Sequence, residues 1–276
     1  MKIVFFGNEK LATGIPTPEP LIRRAAELAG FEVEQIVTGE LTDLRPHEAQ
    51  IAVLAAYGRI IPQRVLDEFP LGIINIHPSL LPQYRGPTPI EQALLDGVEK
   101  TGVSIMHLTK GMDEGPIYKQ KTLHIEKNES KAALTRRLQQ LGADMLQEAL
   151  PLIASGELQP RQQPHPDRAT YSHKITKVDS TLNYQKTAKA LEQEIRAYSG
   201  WPKSHTTLGS LDVVITEARA VATDELPTPG KVFASKKQLL IGTSSDWLEI
   251  TALQPLGKKE MPIQAFLAGY RSQVDA

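Results

Sequence analysis

Between Gln50 and His77 the sequence reads QIAVLAAYGRIIPQRVLDEFPLGIINIH. Two short β-rich runs, QIAVLAAY and GIINIH, flank PQRVLDEF, which carries a helical pattern. A strand, a helix and a second strand in that order form a βαβ unit, whose strands lie parallel in one sheet. Upstream, KIVFF and VEQIVT flank the candidate helix EPLIRRAAELAG in the same way, and GVSIMHL supplies a fifth apolar run downstream. Continuous apolar strands alternating with helices predict a doubly wound, mostly parallel α/β sheet covered on both faces. In such a sheet ligands collect beyond the carboxyl ends of the strands, near a switch in strand order.

The rest of the 276-residue chain is too long for that sheet alone, so two unequal domains are expected. From Lys131 to Ser155 the residues Leu134, Leu138, Leu141, Met145 and Leu152 recur at helical spacing, with Gly156 as the stop. One long helix therefore closes the first domain. Next comes ELQPRQQPHPDRATYSHKITKVDS (157–180), where prolines and polar residues interrupt every period, as in an extended connection. The division expected is 1–170, a linker over 171–185, and 186–276. In the last part a helix, TAKALEQEIRAYSG, leads into LDVVITEARAVA, GKVFASKKQLLIGT and WLEITALQPL, the pattern of a small β-barrel or sandwich.

Hydrophobic residues at 41% and charged residues at 23% place the chain among globular proteins. With no cysteine, disulfides, thiolate metal sites and a thiol nucleophile are all excluded. The opening MKIVFFG lacks the parts of a signal peptide and reads as a buried strand, and no run approaches the roughly eighteen apolar residues of a membrane span. A cytoplasmic location is the expectation. A net charge of -1 means that any nucleic-acid partner must be met by a local basic patch. Gly7 after the first strand opens no GxGxxG pattern, which argues against a nicotinamide-dependent dehydrogenase.

The chemistry concentrates in Gly72–Pro89, GIINIHPSLLPQYRGPTP. Alternation along the strand points Asn75 and His77 to one face, just before proline and glycine force a tight loop. An amide beside an imidazole can hold a developing oxyanion and manage a proton. The same two residues also suit plain structural work, a turn cap and a hydrogen-bonded histidine at a strand end. A third residue tips the balance: after the next strand the loop KGMDEGP carries Asp113 between glycines, which allow a tight turn. A carboxylate next to an imidazole favours its charged form and fixes its tautomer.

These residues resemble the folate-dependent formyltransferase family. Its Asn-x-His strand end, Ser-Leu-Leu-Pro and Arg-Gly are matched by Asn75, His77, Ser79-Leu80-Leu81-Pro82 and Arg85-Gly86, and its Gly-Leu-Asp-Thr-Gly turn by Gly111 to Gly115. Ala56-Tyr57-Gly58 with Ile60-Ile61-Pro62, and Thr101 to Met106, extend the match. The resemblance implies a Rossmann-like catalytic domain that takes 10-formyltetrahydrofolate as formyl donor and an amine as acceptor. It implies that Asn75 and His77 stabilise the oxyanion while Asp113 tunes His77 and helps collect the amine's proton. It places the pterin against the backbone of Arg59, Ile60 and Ile61, with Ser79, Leu80, Leu81 and Pro82 lining the site. No metal is expected, and the seven histidines show no metal-like spacing.

Tyr171 to Ile175, Ala197 to Pro202 and Leu253 to Met261 resemble the branch of the family that formylates initiator methionyl-tRNA, whose second domain is OB-like. This implies a tRNA partner and a monomer. Arg161, Arg168, Lys174, Lys177, Lys186 and Lys189, against Asp167 and Asp179, could form a phosphate-contacting strip or simply a solvated connection, and Lys258 with Lys259 makes a second candidate patch. One departure is clear. That branch carries a long basic loop after the second strand, whereas VTGELTDLRPHEAQ holds only Arg45, and the loop after the first strand, GNEKLATGIPTPEP, is longer than the family's. Nucleotide-sugar N-formyltransferases and hydrolases that release formate from the same folate are the alternatives, together with a non-enzymatic folate- or RNA-binding module.

Overall fold

The run KIVFF forms β1 (Lys2–Phe6), followed by α1 (Glu19–Leu28), β2 (Glu32–Val37), β3 (Ile51–Leu54), α2 (Gln63–Leu66) and β4 (Ile73–His77). Then come α3 (Pro89–Asp96), the antiparallel pair β5 (Lys100–His107) and β6 (Ile117–His124), and the long α4 (Lys131–Ala154). The computed structural model describes residues 1–8 and 17–274. Within these the chain forms two units, Met1–Ala93 with Val98–Lys174, and Leu94–Gly97 with Ile175–Ala276.

The first unit is a mixed α/β layer around a six-stranded sheet of order β2-β1-β3-β4-β5-β6. β2, β1, β3 and β4 are parallel. The sheet is parallel-rich, as expected, and turns antiparallel at its far side, where β5 runs antiparallel to β4 and β6 antiparallel to β5. An apolar run shows that a strand is buried and carries no mark of its direction; here only a short loop precedes β6, too short for a crossover. The IYKQKTLH segment of β6 is mostly polar and half-exposed, so no apolar period announces it. Strand order reverses between β1 and β3, which places the switch of the sheet beside the carboxyl ends of β1, β3 and β4.

Alternation builds the two faces. Val4 and Phe6 pack with Val65, Phe69, Tyr57 and Ile73 in one buried cluster. On the other side α4 lies along α1 and against β5 and β6, with Gly142 so close to Ile76 that a Cβ would stand 2.8 Å from its Cγ2. Ser130 caps α4 by accepting a hydrogen bond from the Ala133 N–H, and Gly156 (φ 79°) follows its end.

The second unit holds α5 (Ala188–Ala197), β7 (Ser204–Leu208), β8 (Leu211–Val221), β9 (Val232–Ala234), β10 (Leu239–Gly242), β11 (Trp247–Pro255), β12 (Met261–Pro262) and α6 (Ile263–Val274). Its sheet is antiparallel, of order β7-β8-β11-β10-β9 with β12 on β11. Register shifts in β11 against β8 curl it, which is compatible with a barrel-like domain. Leu191, Ile195, Ile241, Leu248, Ile250 and Phe266 are central to its core. No helix among the described residues is long and apolar enough to cross a membrane.

Candidate active site

β4 delivers Asn75 and His77 to one face of the sheet, and both are buried, at 7% and 5% exposure. The turn after β5 folds back so that Asp113 meets them. Asn75 Nδ2 donates to Asp113 Oδ1 over 3.3 Å, and Asp113 Oδ2 lies 3.7 Å from His77 Nδ1. Asp113 holds a left-handed backbone (φ 51°), a conformation that aspartate tolerates better than most residues. Its Oδ2 also accepts a hydrogen bond of 2.8 Å from the Gly86 N–H. Gly86 has φ 104°, and a Cβ there would stand 2.7 Å from the Ser172 carbonyl oxygen, so glycine is required where the loop approaches the carboxylate.

His77 Nε2 stands 2.9 Å from the carbonyl oxygen of Tyr84. A carbonyl only accepts, so Nε2 carries the proton and Nδ1, facing Asp113, is the nitrogen left to exchange one. This corrects the expectation that Asp113 fixes the tautomer. At 3.7 Å the carboxylate is beyond hydrogen-bond range, while the Tyr84 carbonyl holds the ring.

Behind the three residues lies a second layer. Arg85 is buried and directs Nε and Nη2 to Gln163 Oε1 at 3.2 and 2.7 Å. Its Nη1 reaches Glu114 Oε1 at 3.3 Å and the Tyr171 hydroxyl at 3.0 Å. The stretch read as an open connection is therefore tied down over Arg161–Ser172: Arg161 bridges Ile117, Thr170 accepts from the Tyr84 and Arg85 N–H groups, and Ser172 binds Arg85 and Thr88. Gln163 and Thr170 carry no signal in the sequence that marks them for the site, and Tyr171 reads only as the start of a stretch resembling the family. A proline-rich polar run has no period, and its partners lie tens of residues away.

A cavity of about 700 Å³ opens beside Asn75, His77 and Asp113, a size usual for small-molecule sites. Arg59, Ile60 and Ile61 line it, as do Ala55, Ala56 and Met112. Ser79, Leu80, Leu81 and Pro82 do not. Their loop faces inward: Ser79 Oγ donates to the Gln83 carbonyl at 2.6 Å, the Leu81 N–H donates to Ser104 Oγ at 3.1 Å, and Gln120 Nε2 donates to the Leu81 carbonyl at 2.8 Å. The cavity's inner wall also holds Glu91 and Lys131, 3.6 Å apart; burial pushes the Lys131 amine down from its ordinary value.

The charged strip is partly neutralised. Lys186 pairs with Glu194, and Lys189 with Glu192 at 3.0 Å. Lys258 and Lys259 stand exposed in the turn between β11 and β12. The connection from β2 to β3 is short, with Arg45 fixed to Gln35 through its backbone. Most of the long loop after β1 lies outside the described residues.

Residues 17–150 match the family model described as formyl transferase, and residues 174–271 match that of the formyl transferase C-terminal domain. A methionyl-tRNA formyltransferase of Chloroflexus aggregans is 38% identical over 261 residues, 94% of this chain and 80% of the relative. This chain belongs to the formyl transferase family. A methionyl-tRNA formyltransferase of Listeria monocytogenes is 35% identical over 92% of this chain and 82% of its own. Among solved structures, HypX from Aquifex aeolicus gives a TM-score of 0.72 at 18% identity, covering 99% of this chain and 48% of the HypX chain, so this chain spans about half its length. The N-formyltransferase from Helicobacter canadensis, solved with folinic acid and dTDP-3-aminofucose, gives 0.66 at 15% identity over 94% of this chain and 99% of that one. At these identities the structural likeness shows the fold alone.

Proposed function

We propose that this protein transfers the formyl group of 10-formyltetrahydrofolate to the amino group of methionine on initiator methionyl-tRNA, in the cytoplasm. The observation that carries the reading is the meeting of Asn75, His77 and Asp113 at a cavity, in a chain whose similarity to methionyl-tRNA formyltransferases runs through both units. The same reading divides the chain into a doubly wound, Rossmann-like catalytic domain (1–170), a linker (171–185) and an OB-like domain (186–276).

The folate supplies an activated formyl carbon on an amide-like nitrogen. The cavity suits it, since Ile60 and Ile61 offer apolar contact beside the polar cluster. Asn75 is bound to Asp113 through one N–H of its amide, and the same nitrogen bears a second to meet charge gathering on the formyl oxygen. His77 Nδ1 takes the proton that the attacking amine gives up, and returns it to the folate nitrogen as the bond from that nitrogen to the formyl carbon breaks and tetrahydrofolate leaves. Asp113, 3.7 Å away, stabilises the resulting imidazolium while the Tyr84 carbonyl keeps the ring oriented.

The test is a formylation assay with purified protein, 10-formyltetrahydrofolate and methionyl initiator tRNA, with elongator tRNA, an amino nucleotide sugar and formate release as controls. Formylmethionyl-tRNA above every control is expected. Formylated sugar instead would assign the chain to the nucleotide-sugar enzymes, and formate alone to the hydrolases.

A further inference from the structure

The carboxylate of Asp113 is held by Asn75 and Gly86, but its backbone is held by a residue fifty positions away. Gln163 is 6% exposed, and every polar atom of its amide is engaged. Its Oε1 receives two N–H groups of the buried Arg85 guanidinium, at 3.2 and 2.7 Å. Its Nε2 donates to the carbonyl oxygens of Asp113 at 2.6 Å and Gly115 at 2.9 Å. A primary amide satisfies both partners at once because it accepts on one end and donates twice on the other; a carboxylate, a hydroxyl or an apolar group fails at least one of them. Asp113 needs such a clamp. A left-handed backbone at a residue with a side chain is strained and persists only where its surroundings over-determine it.

We propose that Gln163 is a positioning residue: it locks the Asp113 turn to Arg85 and so sets the distance from the Asp113 carboxylate to Asn75 and His77. Residues 151–173 fall between the two family-model matches, yet this segment supplies the clamp. Arg85 lies directly between Tyr84, whose carbonyl orients His77, and Gly86, whose N–H holds Asp113. Gln163 thereby couples the two arms that meet at the imidazole. The inference rests on the formyl-transfer reading for its kinetic test and on geometry alone for its spectroscopic one.

The variant that separates the roles is Gln163→Glu, which keeps an acceptor for Arg85 and replaces the two donated hydrogens by negative charge against two carbonyls. The expected result is a fall in kcat of about 10- to 100-fold, the scale of a misplaced catalytic group, with KM for folate and for tRNA changing far less. The double variant D113N/Q163E should be no slower than D113N, because Gln163 acts through Asp113. Losses that multiply, or a wild-type kcat in Q163E, would overturn the inference. The second readout needs no turnover: the nitrogen resonance of His77 Nδ1 in the free protein should move in the same direction in Q163E and D113N. An unchanged resonance in Q163E would overturn it equally. A wild-type protein that formylates nothing counts against the functional reading alone, and the resonance pair still decides this one. Should Q163E not fold, Gln163→Asn, too short to span both partners, carries the same two measurements.

Discussion

Asp113 and His77 face each other at 3.7 Å with a carboxylate on one side and an imidazole on the other, and what each contributes depends on atoms that are not side chains. In the proposed mechanism the Tyr84 carbonyl, bound to Nε2, leaves His77 Nδ1 as the proton-exchanging nitrogen. His77→Ala is therefore expected to lower kcat by about 10²- to 10⁴-fold, the range for loss of a positioned acid–base group, while a non-reactive folate analogue binds nearly as before. Steady-state kinetics beside a binding titration checks this, and near-normal turnover would remove His77 from its role. Strand alternation predicts that Asn75 and His77 share a face and the glycines around Asp113 allow its turn, but it is the family resemblance that marks the three as a site; the structure brings them together. The Tyr84 carbonyl and the Gln163 amide were not legible in the sequence, since a backbone oxygen leaves no mark on residue identity. A glutamine in a proline-rich run likewise says nothing of a partner fifty positions away.

Elements were legible where burial imposes a period. α4 could be read from Leu134 through Leu152, and it closes as expected at Gly156; β6, half-exposed and polar, could not. The start of α4 is capped by one side-chain hydrogen bond, Ala133 N–H to Ser130 Oγ at 3.2 Å, so Ser130→Ala should cost about 1 kcal/mol in urea unfolding. An unchanged midpoint would mean that packing alone defines that end. At the end of β5, His107 is partly buried against Tyr118, and its ring covers Gly72 so tightly that a Cβ there would collide with Cε1. Burial pushes the His107 imidazole below its ordinary value of 6.5. A base whose folded value is depressed contributes stability that is present above the unfolded value and is lost as pH falls through the folded one. Thermal melts taken downward from neutral pH should therefore lose melting temperature below about pH 6.5 more steeply in the wild type than in His107→Gln. Parallel slopes would show that His107 does not titrate with unfolding.

At the scale of the molecule, a chain of net charge -1 has to bind a polyanion, if its proposed substrate is a tRNA, through a few concentrated cations. The sequence offers two places: of the strip, Lys186 and Lys189 are paired while Arg161, Arg168, Lys174 and Lys177 make no ion pair among the described residues, and the turn of Lys258 and Lys259 is the second. Lys186 and Lys189 are engaged by Glu194 and Glu192, so much of their charge is spent inside the second unit. Lys258 and Lys259 project from an exposed turn behind Gly257 (φ 75°) and, among the described residues, neither makes an ion pair. The short passage from β2 to β3 adds only Arg45. K258A/K259A should accordingly raise KM for methionyl-tRNA with kcat unchanged, because the lysines would bind phosphate equally in the ground and transition states. For every phosphate that is no longer neutralised, the slope of log affinity against log salt should fall by roughly one. The measurement is KM for methionyl-tRNA across a salt series for wild type and double variant, with KM for folate as the internal control. A KM and slope identical to wild type would move the site of tRNA binding away from this turn, and a fall in kcat instead would mean that the turn acts on the reacting end of the acceptor rather than on its backbone.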